Sequence, residues 1–249
     1  MKILKYKKTS RGRYKVTLDS DEIILYEDVI IKNDFLLRKN VDTFLLDKVL
    51  NENILYEAYD LALGYIETRL RTEKEIIKYL EKKGYNTNTI SDVLNRLKSN
   101  NLINEVKYVE AYTNDKINLS SYGPFKIKRD LSDLGISIEV IENYLNTIDD
   151  EVWSNKLDKI IDKKVKSMKN KSLYMIKNKL KGDLALLGFD KDMINYKLNS
   201  LDKSDEDSLK KEMEKAYNKY SKKYEGEALK RQIKNHLYKK GFITSDAEI

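Results

Sequence analysis

The chain has no cysteine, one proline (Pro124), one histidine (His236) and nine glycines among 249 residues. Without cysteine there can be no disulfide, no thiolate metal ligand and no Cys nucleophile, and the chain suits a reducing compartment. With a single histidine, a zinc site, a Ser-His-Asp triad or a His acid/base pair would all depend on one residue, so the common hydrolytic designs are poorly supplied. Scarce Gly and Pro leave little for turn-rich β folds or Gly-based phosphate loops. The 36% charged residues, with Lys, Glu, Leu and Ile abundant, are the ones helices use. No apolar run approaches the roughly 18 residues of a membrane span, and Met1-Lys-Ile-Leu-Lys-Tyr-Lys-Lys has no signal-peptide core. A cytoplasmic protein with no membrane partner is expected.

The net charge of +7 is spread unevenly. Residues 151–249 carry 24 Lys and Arg against 16 Asp and Glu, whereas residues 1–150 carry 24 against 25. A positive carboxyl-terminal half can meet nucleic acid or an acidic protein surface. Over-use of Lys, Asn, Ile and Tyr is also what an AT-rich genome produces without selection for binding, so composition leaves both readings open.

The first 31 residues differ from the rest. Arg13 to Leu18 and Glu22 to Tyr26 flank Asp19-Ser20-Asp21 with alternating and β-branched residues, which predicts a short hairpin, with Ile3 to Tyr6 as a third strand. Asn33 to Leu50 reads as one or two short helices. From Ile54 onward the period is helical and an internal repeat emerges. Gly84, Gly135, Gly188 and Gly241 are followed by Tyr85, Ile136, Phe189 and Phe242, at spacings of 51, 53 and 53 residues. Eight residues before each Gly stand Ile76, Ile127, Leu180 and Ile233, and four before stand Leu80, Leu131, Leu184 and Leu237. Six and ten after the first three come Ile90, Ile141 and Ile194, then Leu94, Leu145 and Leu198. Pairs at i and i+4 share a helix face, and a Gly with an apolar successor is a left-handed helix stop with its hydrophobic cover.

A longer amphipathic helix precedes each pair: Ile54, Ala58, Leu61, Ala62 and Tyr65 in the first unit, Trp153, Leu157, Ile160, Ile161 and Val165 in the third. Thr72 and Glu75 have the capping-box spacing, and Gly123-Pro124 marks the matching helix start in the second unit. The expected fold is mainly α: tandem three-helix, helix-turn-helix-like repeats in an elongated array with a small β-rich amino-terminal element. The expected divisions are residues 1–53, repeats at 54–104, 105–150 and 151–203, and a truncated fourth repeat at 204–249 that stops before its third helix.

The run Ala62-Leu-Gly-Tyr-Ile-Glu-Thr-Arg-Leu-Arg-Thr-Glu-Lys-Glu-Ile-Ile-Lys-Tyr-Leu-Glu-Lys-Lys-Gly-Tyr, followed by Ile90, Val93, Leu94, Leu97 and Leu102-Ile-Asn-Glu, resembles the RecX family of RecA regulators. Tyr108-Val-Glu-Ala-Tyr, then Gly123-Pro124 with Ile127, Leu131, Gly135-Ile136 and Ile141, follows that family's second unit in order and spacing. The resemblance implies a cytoplasmic, non-catalytic modulator, and a monomer without cofactor or metal is expected. Its partner would be the RecA filament on DNA: the modulator lies in the filament groove and usually restrains growth, ATPase and strand exchange; a weak direct contact to single- or double-stranded DNA is a further expectation.

The candidate contact residues are cations. Arg69 and Arg71 precede a helix whose polar stripe carries Lys74, Lys78 and Lys82, opposite Ile76 and Leu80. In the second unit, Lys126 and Arg129 follow Gly123-Pro124, and Arg129 is the counterpart of Lys78. The plain alternative is a solvated helix face, since Lys74 aligns with Phe125 and Asn178, and Lys82 with Asp133. Tyr65, Tyr112, Tyr144 and Tyr217 read as packing residues with wet hydroxyls more readily than as base-stacking platforms. The competing function is a tandem helix-turn-helix reader of DNA. Its base-reading set should recur on the third helices, but Asn95, Arg96 and Lys98 in the first unit share no pattern with Glu142, Asn143 and Asn146 in the second. Asp149-Asp150 and Asp205-Glu206-Asp207 read as loops or helix starts between units, not as metal sites.

Overall fold

A computed structural model describes residues 1–9, 12–168, 171–202 and 204–242 of the chain. Strands β1 (Ile3–Lys8), β2 (Arg13–Leu18) and β3 (Glu22–Tyr26) form an antiparallel sheet in sequential order, as the alternation predicts. Tyr14 pairs with Leu25 and Val16 with Ile23 across β2 and β3. Helix α1 (Glu27–Lys32) follows directly, then a 3-10 turn at Phe35–Leu37. Twelve α-helices lie among the described residues.

The segment read as short helices over Asn33 to Leu50 is organised differently. A single helix, α2 (Thr43–Ile66), starts at the Asp42 cap, whose carboxylate accepts the Leu45 N–H at 2.7 Å, and runs unbroken past Ile54. It is continuous because it serves two cores. Val49 packs with Val16, Leu25, Ile30 and Phe35 under the sheet. Two turns later Ala58 and Ala62 pack with Ile76, Leu80, Val93 and Leu97. Asn53 joins helix to sheet, accepting the Tyr26 N–H at 2.9 Å and donating to the Ile24 carbonyl at 3.0 Å.

Helix α2 opens the first repeat, which continues with α3 (Glu73–Lys82) and α4 (Thr87–Ser99). The second repeat is α5 (Glu105–Leu119), α6 (Pro124–Asp133) and α7 (Ile138–Leu145). The third is α8 (Asp150–Ser167), α9 (Leu173–Leu186) and α10 (Lys191–Asn199). Helices α11 (Glu206–Tyr220) and α12 (Gly226–Lys239) begin a fourth, and its expected lack of a third helix falls at 243–249, outside the described residues. By compactness the chain forms two units: Met1–Tyr108 with Leu134–Ile136, and Val109–Asp133 with the residues from Ser137 onward.

Each repeat is built on the same local rule. Ile76, Leu80, Ile127, Leu131, Leu180, Leu184 and Leu237 are fully buried, and each contributes about 1.5–3 kcal/mol by leaving water. The second helix of each repeat then ends at a glycine with positive φ: Gly84 at 91°, Gly135 at 86°, Gly188 at 83° and Gly241 at 77°. At three of these ends two hydrogen bonds run back across the last turn. Tyr85 N–H reaches Leu80 O and Gly84 N–H reaches Glu81 O, with the equivalent pairs at Phe189 and Gly188 and at Phe242 and Gly241.

The same glycines admit a close neighbour. In the second unit the first turn of α6 meets the end of α9: Gly123 N–H donates to Leu187 O at 2.7 Å and Phe125 N–H to Gly188 O at 3.0 Å. Orphan N–H groups of one helix thus satisfy orphan carbonyls of another. A Cβ on Gly188 would stand 2.6 Å from the Cβ of Lys126. One repeat further, Ser172 both caps α9 and donates to Lys240 O at 2.9 Å, and a Cβ on Gly241 would lie 2.6 Å from its Oγ. In the first unit the Lys74 stem lies against Gly135, whereas nothing lies within 4 Å of the Cβ position of Gly84.

A second tie in the second unit is electrostatic. Lys156, 9% exposed, donates from Nζ to the carbonyls of Lys116 and Ile117, both at 2.6 Å, at the end of α5. Its ammonium thus meets the negative pole of that helix. Burial pushes its pKa down to about 8.

Two stability predictions follow from these ties. Gly188→Ala should cost more than Gly84→Ala in urea unfolding. Both carry about 1–2 kcal/mol of left-handed strain, and only Gly188 adds overlap worth about 1–3 kcal/mol; equal costs would mean the α6–α9 approach is loose. Lys156→Met, which removes the donor to two helix-end carbonyls, should cost about 1–3 kcal/mol. The folded ammonium releases its proton near pH 8 and the unfolded one near 10.5, so the unfolded state binds more protons in that interval and stability of the parent rises with pH there. The variant should lack that rise when melting temperature is followed against pH.

Candidate binding surface

The first cationic region is centred on the start of α3. Thr72 and Glu75 form a full capping box: Glu75 N–H donates to Thr72 Oγ1 at 3.3 Å, and Thr72 N–H to Glu75 Oε2 at 3.0 Å. Both preceding arginines are drawn into this cap. Arg69 donates to Glu75 Oε1 at 2.5 Å and to Leu70 O at 2.9 Å. Arg71, its side chain 13% exposed, donates to Tyr65 O at 3.2 Å and Thr68 Oγ1 at 3.0 Å, and lies 3.9 Å from the Tyr65 ring centroid. Tyr65 in turn stacks on Tyr79 at 4.2 Å. Burial favours the neutral form of Glu75, but the hydrogen bond from Arg69, the Thr72 N–H and the two guanidinium charges hold its carboxyl below the ordinary value.

The seven candidate cations therefore separate. Arg71 is a packing and capping residue. Arg69 retains a half-exposed guanidinium, and its shortest bond is spent on Glu75. Lys74, Lys78 and Lys82 form an exposed stripe along α3, the first with its stem against Gly135. Among the described residues, neither Lys78 nor Lys82 forms an ion pair. In the second unit, Lys126 is half-buried with Nζ 4.5 Å from the Tyr122 ring. Arg129 is exposed and, among the described residues, also without an ion pair. Lys78 and Arg129 each stand six residues before a positive-φ glycine, so the repeat places them at equivalent points of α3 and α6.

On the third helices Arg96, Lys98 and Glu142 have partners within the protein, while Asn95 and Asn143 are exposed. Arg96 lies 4.7 and 4.3 Å from the Tyr56 and Tyr59 ring centroids, Lys98 pairs with Glu73 at 2.7 Å, and Glu142 pairs with Lys128. Tyr112 and Tyr144 donate to Asp130 and Asn114, while Tyr217 is 55% exposed, unlike the packing role its helix position suggests. His236 lies 3.3 Å from Glu212 Oε2 and edge-on to Tyr220, a packing arrangement near the end of α12. Asp149 caps α8 and Asp205 accepts the Leu173 N–H, so the acidic pairs between repeats are helix-start and junction residues. Among the described residues no helix is long and apolar enough to cross a membrane. Sequence reasoning missed Lys156, although it sits inside the apolar stripe of α8 between Trp153 and Leu157, where a cation must find a buried partner.

Known proteins agree with this architecture. A family model described as RecX, first three-helix domain, matches residues 58–97, and one described as RecX, second three-helix domain, matches residues 104–145. The chain is 34% identical over 255 residues to regulatory protein RecX of Streptococcus agalactiae serotype Ia, covering 99% of this chain and 96% of that protein. It is also 34% identical over 260 residues to regulatory protein RecX of Lactococcus lactis subsp. cremoris, covering 98% and 95%. A crystal structure of regulatory protein RecX superposes with a TM-score of 0.68 at 26% identity, covering 78% of this chain and 97% of that one. A crystal structure of RecX from Lactobacillus salivarius gives 0.55 at 30% identity, covering 59% and 97%. The chain belongs to the RecX family of regulatory proteins.

The cap on α3 has a pH signature. A carboxyl whose folded pKa is depressed stabilises above its unfolded value, and that stability is lost as pH falls through the folded one. The parent should lose melting temperature below about pH 4.5, the ordinary Glu value. Glu75→Gln should start about 1 kcal/mol less stable at neutral pH and show a flatter acid limb. An unchanged acid limb would mean that Glu75 carries no stability.

Proposed function

We propose that this chain regulates the RecA recombinase by binding its filament on DNA, lying in the filament groove and restraining ATP hydrolysis, extension and strand exchange, with no turnover of its own. The observation that carries this reading is the match to regulatory proteins RecX along almost the whole chain, including the amino-terminal sheet and all the repeats. Exposed cations without an ion pair among the described residues support it: Lys78 and Lys82 on α3 and Arg129 on α6 can meet acidic filament residues or phosphate. On α3, Lys74 belongs to the same stripe and Arg69 and Arg71 precede it, while on α6 Lys126 lies over Tyr122. Direct reading of DNA sequence is the weaker account, because Arg96, Lys98 and Glu142 on the third helices already have partners within the protein.

The test is the DNA-dependent ATPase of RecA filaments, which should fall on addition of the protein; unchanged hydrolysis at saturation would sink the reading. The Lys78→Glu, Arg129→Glu double variant should stay within about 0.5 kcal/mol of the parent in stability. It should bind filaments more weakly, and its slope of log affinity against log salt should be shallower by about one to two units.

A further inference from the structure

The second unit contains an open cleft of about 770 Å³ among α6, α7, α8 and α10. Carbon lines much of it. Trp153 and Phe189 are each under 5% exposed, Leu145 and Ile148 are half-buried, and Phe125 stands 58% exposed beside them. The volume is that of a site able to take several side chains. An aromatic as open as Phe125, next to a partly apolar depression, costs free energy in water unless something covers it.

The charge around the cleft opposes that of the chain. Glu142, Asp149, Asp150 and Asp190 line it against one cation, Lys128, which is already paired with Glu142. That leaves a local excess of negative charge on a protein whose net charge is +7. Helices α8 and α10 both begin here, and their first turns would ordinarily attract an anion. Three of their first-turn N–H groups are taken by capping carboxylates. Asp149 accepts the Glu151 N–H at 3.4 Å, and Asp190 accepts those of Asp192 and Met193 at 2.8 and 3.0 Å. Asp150 adds a further carboxylate in the first turn of α8. Phosphate meets an unfavourable field in this cleft, whereas a cation next to an apolar group has both a field and a surface.

We propose that this cleft docks a protein segment carrying a bulky apolar side chain flanked by Lys or Arg, and that it holds no nucleic acid. The apolar side chain lies against Trp153, Phe189 and Phe125, and the flanking cations face Asp150 and Asp190. Lys126 and Arg129 are not among the residues that line it, and the proposal stands whether or not RecA is the partner.

Trp153 is the only tryptophan in the chain, so its emission reports on the cleft directly. The probe is a synthetic peptide of about twelve residues with a central Phe-Leu pair flanked by Arg and Lys. It is compared with the same peptide carrying Glu at the flanks and with an oligo-dT strand of similar length. The basic peptide should shift Trp153 emission saturably. Binding should weaken by about tenfold or more for the acidic peptide and for the Asp150→Lys variant, and also for Phe125→Ala. Both substitutions lie at exposed positions, and circular dichroism checks that the helices persist. The proposal is overturned by any of four results: no saturable shift, equal binding of the acidic peptide, parent-like affinity in both variants, or a shift of Trp153 emission by the oligonucleotide.

Discussion

The structure depends on a helix end that only glycine serves well. Stopping a helix with φ near +80° to +90° satisfies its last carbonyls through two back-directed N–H groups and turns an apolar residue back over the core. Because the stop has no Cβ, another element can come within van der Waals reach of it. At Gly188 that element is the first turn of α6, and at Gly241 it is Ser172 at the start of α9. One residue type thus fixes the length of the second helix, the direction of the third and the approach of a neighbouring repeat. Spacings of 51, 53 and 53 residues are the linear trace of that constraint.

What was legible in the sequence was whatever local physics decides. The hairpin, the Thr72–Glu75 capping box, the helix start at Pro124 and the glycine stops all follow from residues within one or two turns of one another. The misread segment, Asn33 to Leu50, fails for a non-local reason. Asn53 lies inside α2, its amide spent on the backbone of β3. Helix α2 also changes the core it faces, from Val49 under the sheet to Ala58 and Ala62 in the first repeat, so no single apolar stripe marks it.

The candidate surface was legible only as a list of cations. Periodicity places Lys74, Lys78 and Lys82 on one stripe, but it does not tell which charges are already committed. Arg71 is used by Tyr65 and the cap, and Lys126 lies over Tyr122; Lys78, Lys82 and Arg129 remain uncommitted among the described residues. The buried Lys156 and the acid-lined cleft were invisible for the same reason. Their partners come from α5 in one case and from four helices in the other, distances that no window along the chain spans.

The regulation proposed above requires that the protein recognise an assembled filament and not the nucleic acid alone. Co-sedimentation of the protein with RecA filaments formed on single-stranded DNA, beside an equal amount of the bare strand, tests this directly. The account predicts stoichiometric recovery with the filaments and little with bare DNA at physiological salt. Equal recovery with both, or recovery with bare DNA alone, would contradict it.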